Sequence, residues 1–324
     1  MSGRNCGNIE KRAPDRGVSS ISAEDVSPQS AAGDHRSPDL RLTSHVSLSS
    51  SLSFTSTTPR QRLACGLFAT MCGIFFSLSA SGAVLPNEET CCLLRKRGPD
   101  NYHVHNVEQK IANTRSSNEE PIAVQLTFVS TVLSMRGGCL VPQPLVDLTT
   151  QSVLCYNGDA WKISGEPIQG NDAELIFKLL LQAVNHHSKT TSSADSGTTA
   201  VQGVLDVISS ISGPFAFVFY DAINSKLFFT RDSLGRRSLL QGVDESGAFK
   251  LCSLCDGTSS THFSEVETDG VYMIDFEHAI FQDNWIATRS AGAPLFDASC
   301  IQTLFWEHNT SDLPLRPVCT SSSS

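Results

Sequence analysis

Basic clusters are missing from this chain. Its 324 residues hold 24 Lys and Arg against 33 Asp and Glu, a formal net charge of -9. Residues 1–70 carry 8 basic against 6 acidic side chains, so the acidic excess falls on the body that follows, and electrostatic binding of nucleic acid is excluded. A regular cysteine framework is missing too. The eleven cysteines are odd in number and irregularly spaced, which fits the reduced thiols of a cytoplasmic protein rather than a secreted disulfide scaffold. Cys91-Cys92 and the lone C-x-x-C, Cys252 to Cys255, have no second pair and no spaced histidines, so neither a metal nor a cofactor is expected. A long, purely apolar run is also absent. No charge occurs from Leu63 to Leu85, and Arg60 and Arg62 stand ahead of it, but Gly, Ser and Thr interrupt it throughout. That segment reads as coil running into a buried strand, with no membrane span.

Residues 1–62 lack apolar periodicity, and most positions from Thr43 to Thr58 are Ser or Thr, so this head buries too little surface to offset the entropy of ordering it. Six acids between Glu10 and Asp39 set it apart from a mitochondrial presequence. The expected organisation is therefore a disordered Ser/Thr-rich extension over 1–70, one domain over 71–280, and a short tail over 281–324.

What is present begins at Met71-Cys72-Gly73-Ile74, a cysteine behind a methionine and ahead of an apolar run. With Met71 removed, Cys72 would carry a thiol and a free α-amine, and an amine with an ordinary pKa of roughly 7.7 to 8.0 can act as the thiol's base. With a peptide bond ahead of it, the same nitrogen cannot accept the proton. Alternation predicts strands at Cys72 to Ser79, Val124 to Ser134, Val153 to Tyr156, Pro214 to Tyr220, Leu227 to Thr230, Lys250 to Ser253 and Val271 to Asp275. Helical spacing runs from Leu175 to Val184, with Asn171 as cap and Glu174 three residues on, and again over Val201 to Ile211. A further helix is expected before Arg97. Lys189 to Ala200 reads as a flexible link. Strands, two helices, then strands describe an α+β layered fold.

Seven motifs then follow in order: Met71-Cys72-Gly73-Ile74; Arg97-Gly98-Pro99-Asp100; Arg136 in a Leu-Ser-Met-Arg-Gly run; Asn157-Gly158-Asp159; Asn171-Asp172-Ala173-Glu174; Gly213-Pro214-Phe215-Ala216-Phe217; and Arg231-Asp232-Ser233-Leu234-Gly235-Arg236. Together they resemble the class II glutamine amidotransferases, which are N-terminal-nucleophile hydrolases, and within them the glutaminase half of asparagine synthetase. The likeness runs from about Met71 to Asp275. It implies an αββα sandwich of antiparallel sheets with helices on the outer faces. It also implies hydrolysis of L-glutamine to L-glutamate and ammonia through a thioester on Cys72, linked to asparagine biosynthesis.

The resemblance assigns the nucleophile to Cys72 and the oxyanion donors to the Asn157 side chain and the Gly158 backbone N–H. It gives Arg136 the substrate's α-carboxylate and Asp172 its α-ammonium, with Gly98 and Asp159 as further substrate contacts. These types suit the work: a planar guanidinium matches a carboxylate, and fixed N–H donors matter most where charge develops. Asp232 and Arg236 read as structural, holding a strand end.

Two departures from the family pattern matter. Asp159 stands where the family has a glutamate, one methylene longer, which loses or lengthens a contact to the substrate amide. The Ser-Gly-Gly-x-Asp-Ser phosphate loop of the synthetase domain occurs nowhere in the sequence, so aspartate activation would need a synthetase domain on another chain. The expectation is a glutamine-hydrolysing domain that works when Cys72 leads the mature chain. The alternative is an inactive amidotransferase scaffold that binds glutamine or a partner.

Overall fold

Alternation in the first strand sets the layering of the molecule. In the computed structural model, which describes residues 71–111, 121–187, 196–254, 261–290 and 296–306, every residue of β1 (Gly73–Ser79) is buried. Ile74, Phe76 and Leu78 enter one apolar cluster and Phe75 enters another on the opposite side. A strand with both faces buried must lie between two layers.

The chain continues through α1 (Glu88–Arg97), β2 (Asn101–Ile111), β3 (Ile122–Val132), β4 (Leu145–Val146), β5 (Val153–Gly158), β6 (Lys162–Ile163) and β7 (Glu166–Pro167). Two helices follow, α2 (Asp172–His187) and α3 (Ser196–Ser209), then β8 (Ile211–Ser212), β9 (Phe215–Asp221), β10 (Lys226–Arg231), β11 (Leu240–Val243) and β12 (Phe249–Cys252). The last elements are β13 (Ser264–Glu265), β14 (Gly270–Asp275), α4 (Ala279–Ser290) and β15 (Ile301–Phe305).

One six-stranded sheet has the order β13-β11-β12-β1-β3-β2, the other β15-β14-β10-β9-β5-β4, and neighbours in both run antiparallel. A small third sheet, β7-β6-β8, lies outside them.

Three clusters give the stacking order. Ile74, Phe76, Phe128 and Leu251 of the first sheet meet Cys155, Val218, Phe229 and Ile274 of the second in one core. The outer face of the second sheet, Phe217, Phe219 and Phe228, packs on Ile176, Leu180 and Val184 of α2 and on Val204 and Ile208 of α3. The outer face of the first sheet, Phe75, Val129 and Cys252, packs on Leu94 of α1. Helix, sheet, sheet, helix is the αββα sandwich that the resemblance implies. Each fully buried Phe, Ile or Leu contributes about 1.5–3 kcal/mol relative to exposure, so the intersheet core is the main source of stability.

The predicted strands and helix runs overlap these elements, but the second helix starts at Ser196, inside the expected link, and ends at Ser209, with Ile211 in β8. The chain makes further elements where no strand or helix was expected: β2, whose half-exposed sequence Asn-Tyr-His-Val-His-Asn-Val hides its alternation, the four-residue β11, and α4. The second sheet also takes its edge strand, β15, from the segment read as a tail. The expected disordered head, residues 63–70 of the uncharged run, Cys255, and most of the expected link from Lys189 lie outside the described residues.

Candidate active site

Close packing explains why Cys72 is followed by a glycine, Gly73. A Cβ there would meet Thr131 Oγ1 at 2.5 Å and Leu94 Cδ2 at 2.8 Å, because α1 lies directly on the start of β1. The Thr131 hydroxyl donates to the Leu94 carbonyl at 2.8 Å and clips the helix down. Pairing of Gly73 with Thr131 in the β1–β3 ladder brings Cys72 beside the end of β3. There the Leu133 N–H donates to Cys72 Sγ at 3.4 Å, and the thiol reaches the Leu133 carbonyl at 3.8 Å. Burial pushes the Cys72 thiol above its ordinary range; Asp172 adds to that, while the Leu133 N–H and the guanidiniums of Arg97 and Arg237 oppose it.

The second sheet supplies the facing wall. β5 ends in Tyr156-Asn157-Gly158, and Asn157 is 1% exposed, with a side-chain nitrogen that has no hydrogen-bond partner. At Gly158 a Cβ would run into the Tyr156 ring and hydroxyl, so the backbone can take this path only without a side chain. Gln143 Oε1 accepts the Tyr156 N–H at 2.7 Å and fixes this turn of chain from the side.

The start of α2 closes the site. Asn171 Oδ1 accepts the Glu174 N–H at 3.1 Å, as the cap-and-acid spacing predicts. That places Asp172 in the first turn, where it is buried and accepts the Ala160 N–H at 2.8 Å. Burial raises the Asp172 carboxyl above its usual range, against the lowering effect of the Ala160 N–H and Arg136. Burial, reinforced by Asp172, likewise holds the Tyr156 phenol well above its ordinary value.

Arg136 donates from Nη1 to the Ala160 carbonyl at 2.5 Å, and its Nε lies 3.1 Å from Asp159 Oδ1. The shorter acid at 159 is thus engaged by the arginine beside it.

Cys72, Arg136, Asn157, Gly158, Asp159 and Asp172 all line one cleft, together with Leu133, Gln143, Tyr156 and Arg237. Gly98 does not line it. Gly98 caps α1 through its N–H to the Leu94 carbonyl at 3.1 Å, and a Cβ on it would strike the Thr131 carbonyl carbon and the Val132 nitrogen at 2.5 Å. Asp100 Oδ2 accepts the Ser134 N–H at 2.7 Å, so the Arg97 to Asp100 turn shapes the wall of the cleft from behind.

Asp232 is buried and holds its own loop, accepting Phe215 N–H at 3.2 Å, Arg236 N–H at 3.1 Å and Arg236 Nε at 2.8 Å. That loop delivers Arg237 to the cleft, a residue sequence reasoning passed over by stopping the motif at Arg236. Tyr156 and Gln143 were passed over as well. An aromatic residue and an amide inside or ahead of a strand carry no local signal of a site.

Among the described residues no group of three or more His, Cys, Asp or Glu is placed to hold a metal, and no helix is long and apolar enough to cross a membrane. The cleft instead combines a sulfur, an unpartnered amide donor, a guanidinium and a buried carboxylate. Such a set can bind a zwitterionic amino acid and stabilise an oxyanion on its side chain.

Three comparisons bear on this arrangement. A family model described as a glutamine amidotransferase domain matches residues 71–285. The asparagine synthetase domain-containing protein 1 of Gallus gallus is 31% identical over 212 residues, covering 63% of this chain and 29% of that protein. The glutamine-hydrolysing asparagine synthetase of Mesocricetus auratus is 29% identical over 126 residues, covering 35% of this chain and 19% of its own length. A solved structure of the allosteric regulatory enzyme of purine biosynthesis has a TM-score of 0.41 at 15% identity, covering 63% of this chain and 47% of that one. The chain therefore spans less than a third of the length of the curated relatives it matches.

Proposed function

Since the chain belongs to the glutamine amidotransferase domain family, we propose that its cleft hydrolyses L-glutamine to L-glutamate and ammonia when Cys72 carries a free α-amine. The observation that carries this reading is the Asn157 side-chain nitrogen, buried, without a partner, and lining the same cleft as the Cys72 sulfur. A fold leaves a buried donor unsatisfied only at a cost of about 1–3 kcal/mol, and a developing oxyanion is the partner that would repay it.

In this mechanism the substrate's α-carboxylate lies on the Arg136 guanidinium and its α-ammonium on the Asp172 carboxylate. The side-chain carbonyl carbon is thereby held over Cys72. The α-amine of Cys72 takes the thiol proton, and the sulfur adds to the carbonyl carbon. The oxyanion is held by the Asn157 amide and the Gly158 N–H. The amine passes the proton to the departing nitrogen, ammonia leaves, and a γ-glutamyl thioester remains on Cys72. Water adds to that thioester through the same tetrahedral geometry and releases glutamate and the thiol. Asp159 balances the charge of Arg136 and keeps its planar edge in register.

Ammonia made here would feed a synthetase domain lying outside these residues, as the names of the relatives suggest, and would link the chain to asparagine biosynthesis. A cytoplasmic setting suits the seven free cysteines among the described residues.

A second reading has one observation of its own. Met71 lines the cleft, and its sulfur accepts from Arg237 Nη1 at 2.6 Å, so while Met71 remains attached the site has no amine base and is partly filled. In that state the protein is a scaffold for binding rather than turnover.

The test is a glutaminase assay on protein opened ahead of Cys72, against the same protein carrying Cys72→Ala. Glutamate release that depends on Cys72 supports hydrolysis. Equal, background release from both, with glutamine binding retained, supports the scaffold.

A further inference from the structure

Arg237 is the one cation lining the cleft to which neither the motifs nor the mechanism gives a task. The buried loop acid Asp232 fixes the turn that carries it, through bonds to Leu234, Arg236 and Phe215. Its Nη1 lies 2.6 Å from Met71 Sδ, a weak acceptor. Its Nε is buried without a partner, and among the described residues it pairs with no carboxylate.

A partly buried guanidinium is always charged, and a fold would normally match it with an acid. Here the fold spends it instead on the residue immediately before the nucleophile. Resting on the proposed hydrolysis at Cys72, we propose that Arg237 is a positioning cation of the nucleophile, helping the Cys72 amine–thiol pair to give up its first proton so that it is ready near neutral pH.

The chemistry is a coupled titration. With Cys72 leading the chain, the fully protonated pair is a thiol beside an ammonium. Loss of one proton gives either thiol with neutral amine or thiolate with ammonium, and both count as the reactive state. A fixed positive charge nearby disfavours the fully protonated pair relative to either product, whichever site loses the proton.

Three charges act on Cys72: Asp172 from the start of α2, Arg97 from the end of α1, and Arg237 from the loop after β10, which lines the same cleft as the thiol. Arg97 is held from behind, donating to Ser238 Oγ at 3.1 Å and the Ser253 carbonyl at 3.3 Å, with its Nε and Nη2 unpartnered. Asp172 opposes both cations, and in the mechanism above it is engaged by the substrate's ammonium. Removal of Met71 takes away the sulfur on which Arg237 rests, in the cleft that Cys72 also lines.

The test uses full-length protein with a protease site placed directly before Cys72, folded and then cut, with 15N-labelled cysteine. The terminal amine is followed by NMR across pH 5 to 10. Arg237→Gln should raise the midpoint of the first proton loss by about one pH unit, and Arg237→Lys should leave it near the parent value. Arg237→Met provides a second neutral variant should the glutamine not fold. An unchanged midpoint in a folded neutral variant overturns the proposal.

The NMR titration does not need turnover, so it separates this inference from the reading it rests on. A shifted midpoint in a protein that hydrolyses no glutamine keeps the role of Arg237 and removes the hydrolase. Where hydrolysis is measured, the acid limb of kcat/KM should move with the midpoint. Arg237→Gln should then be about tenfold slower than the parent at pH 6.5 and match it by pH 9. A uniform loss at every pH would mark Arg237 as merely structural and overturn the inference.

Discussion

Asn157 and Asp172 are both buried, and each carries a cost that an apolar residue in its place would not. For Asn157 the cost is the unpartnered nitrogen. Asn157→Ala should lower glutaminase kcat by about 10²–10³ while shifting the thermal midpoint little, because the lost donor was unsatisfied in the resting protein; kinetics paired with calorimetry check this. For Asp172 the cost is electrostatic, since burial raises its carboxyl above the usual range. The folded protein binds that proton more tightly than the unfolded chain. Between the ordinary aspartate value of about 3.9 and the raised native value, stability therefore falls as pH rises. Asp172→Asn should remove this fall, melting higher than the parent at pH 7 and alike at pH 3. The same change should raise KM for glutamine about 10- to 100-fold through loss of a charge-assisted hydrogen bond. Melting curves at the two pH values, with steady-state kinetics, test both parts. The sequence pointed to both residues only through the ordered set of motifs that resembles the amidotransferases; taken alone, Asp172 reads as an acid at a helix start. Arg237 was not legible, because a second arginine after Arg236 has no signature until the fold turns it inward.

At the scale of elements, strands with mixed apolar faces were readable and edge strands were not. β1, β9 and β10 are rich in Phe, Ile, Val and Leu, and all their residues are buried. β2 lies at the edge of its sheet and is polar on most positions, so only pairing with β3 over its whole length reveals it. α4 escaped notice because two anchors, Phe281 and Trp285, carry its burial while Ile280 is half exposed. Packing between elements also makes a prediction. Helix α1 sits on Gly73 so closely that Gly73→Ala must push Leu94 or Thr131 aside. Overpacking of this kind costs about 1–3 kcal/mol. Urea denaturation should show that loss with an unchanged m-value, and glutaminase activity should fall with it, because the displaced helix carries Arg97 and the displaced strand carries the Leu133 contact to Cys72.

For the molecule as a whole, the layer order followed from sequence once the resemblance was recognised, whereas composition and periodicity alone reached only an α+β fold. Which faces meet is decided by long-range pairing, such as Ile74 of the first sheet sharing a core with Val218 of the second, and no local pattern encodes that. The buried apolar core among the described residues runs from Ile74 to Cys300. Opening the full-length chain directly ahead of Cys72 should therefore leave its thermal midpoint within about 2 °C of the uncut protein, since every one of these core residues lies after the cut. A drop of 10 °C or more on cutting, read by calorimetry before and after protease treatment, would contradict this.

Gly73 is pinned under α1 and paired with Thr131, and Cys72 stands one residue ahead of it. The thiol therefore has no slack. Inserting a single residue between the two would turn the sulfur towards the opposite side of the ladder, because side chains alternate with a period of two. The ladder that holds Gly73 thus fixes the length of chain between the nucleophile and its strand to a single peptide bond.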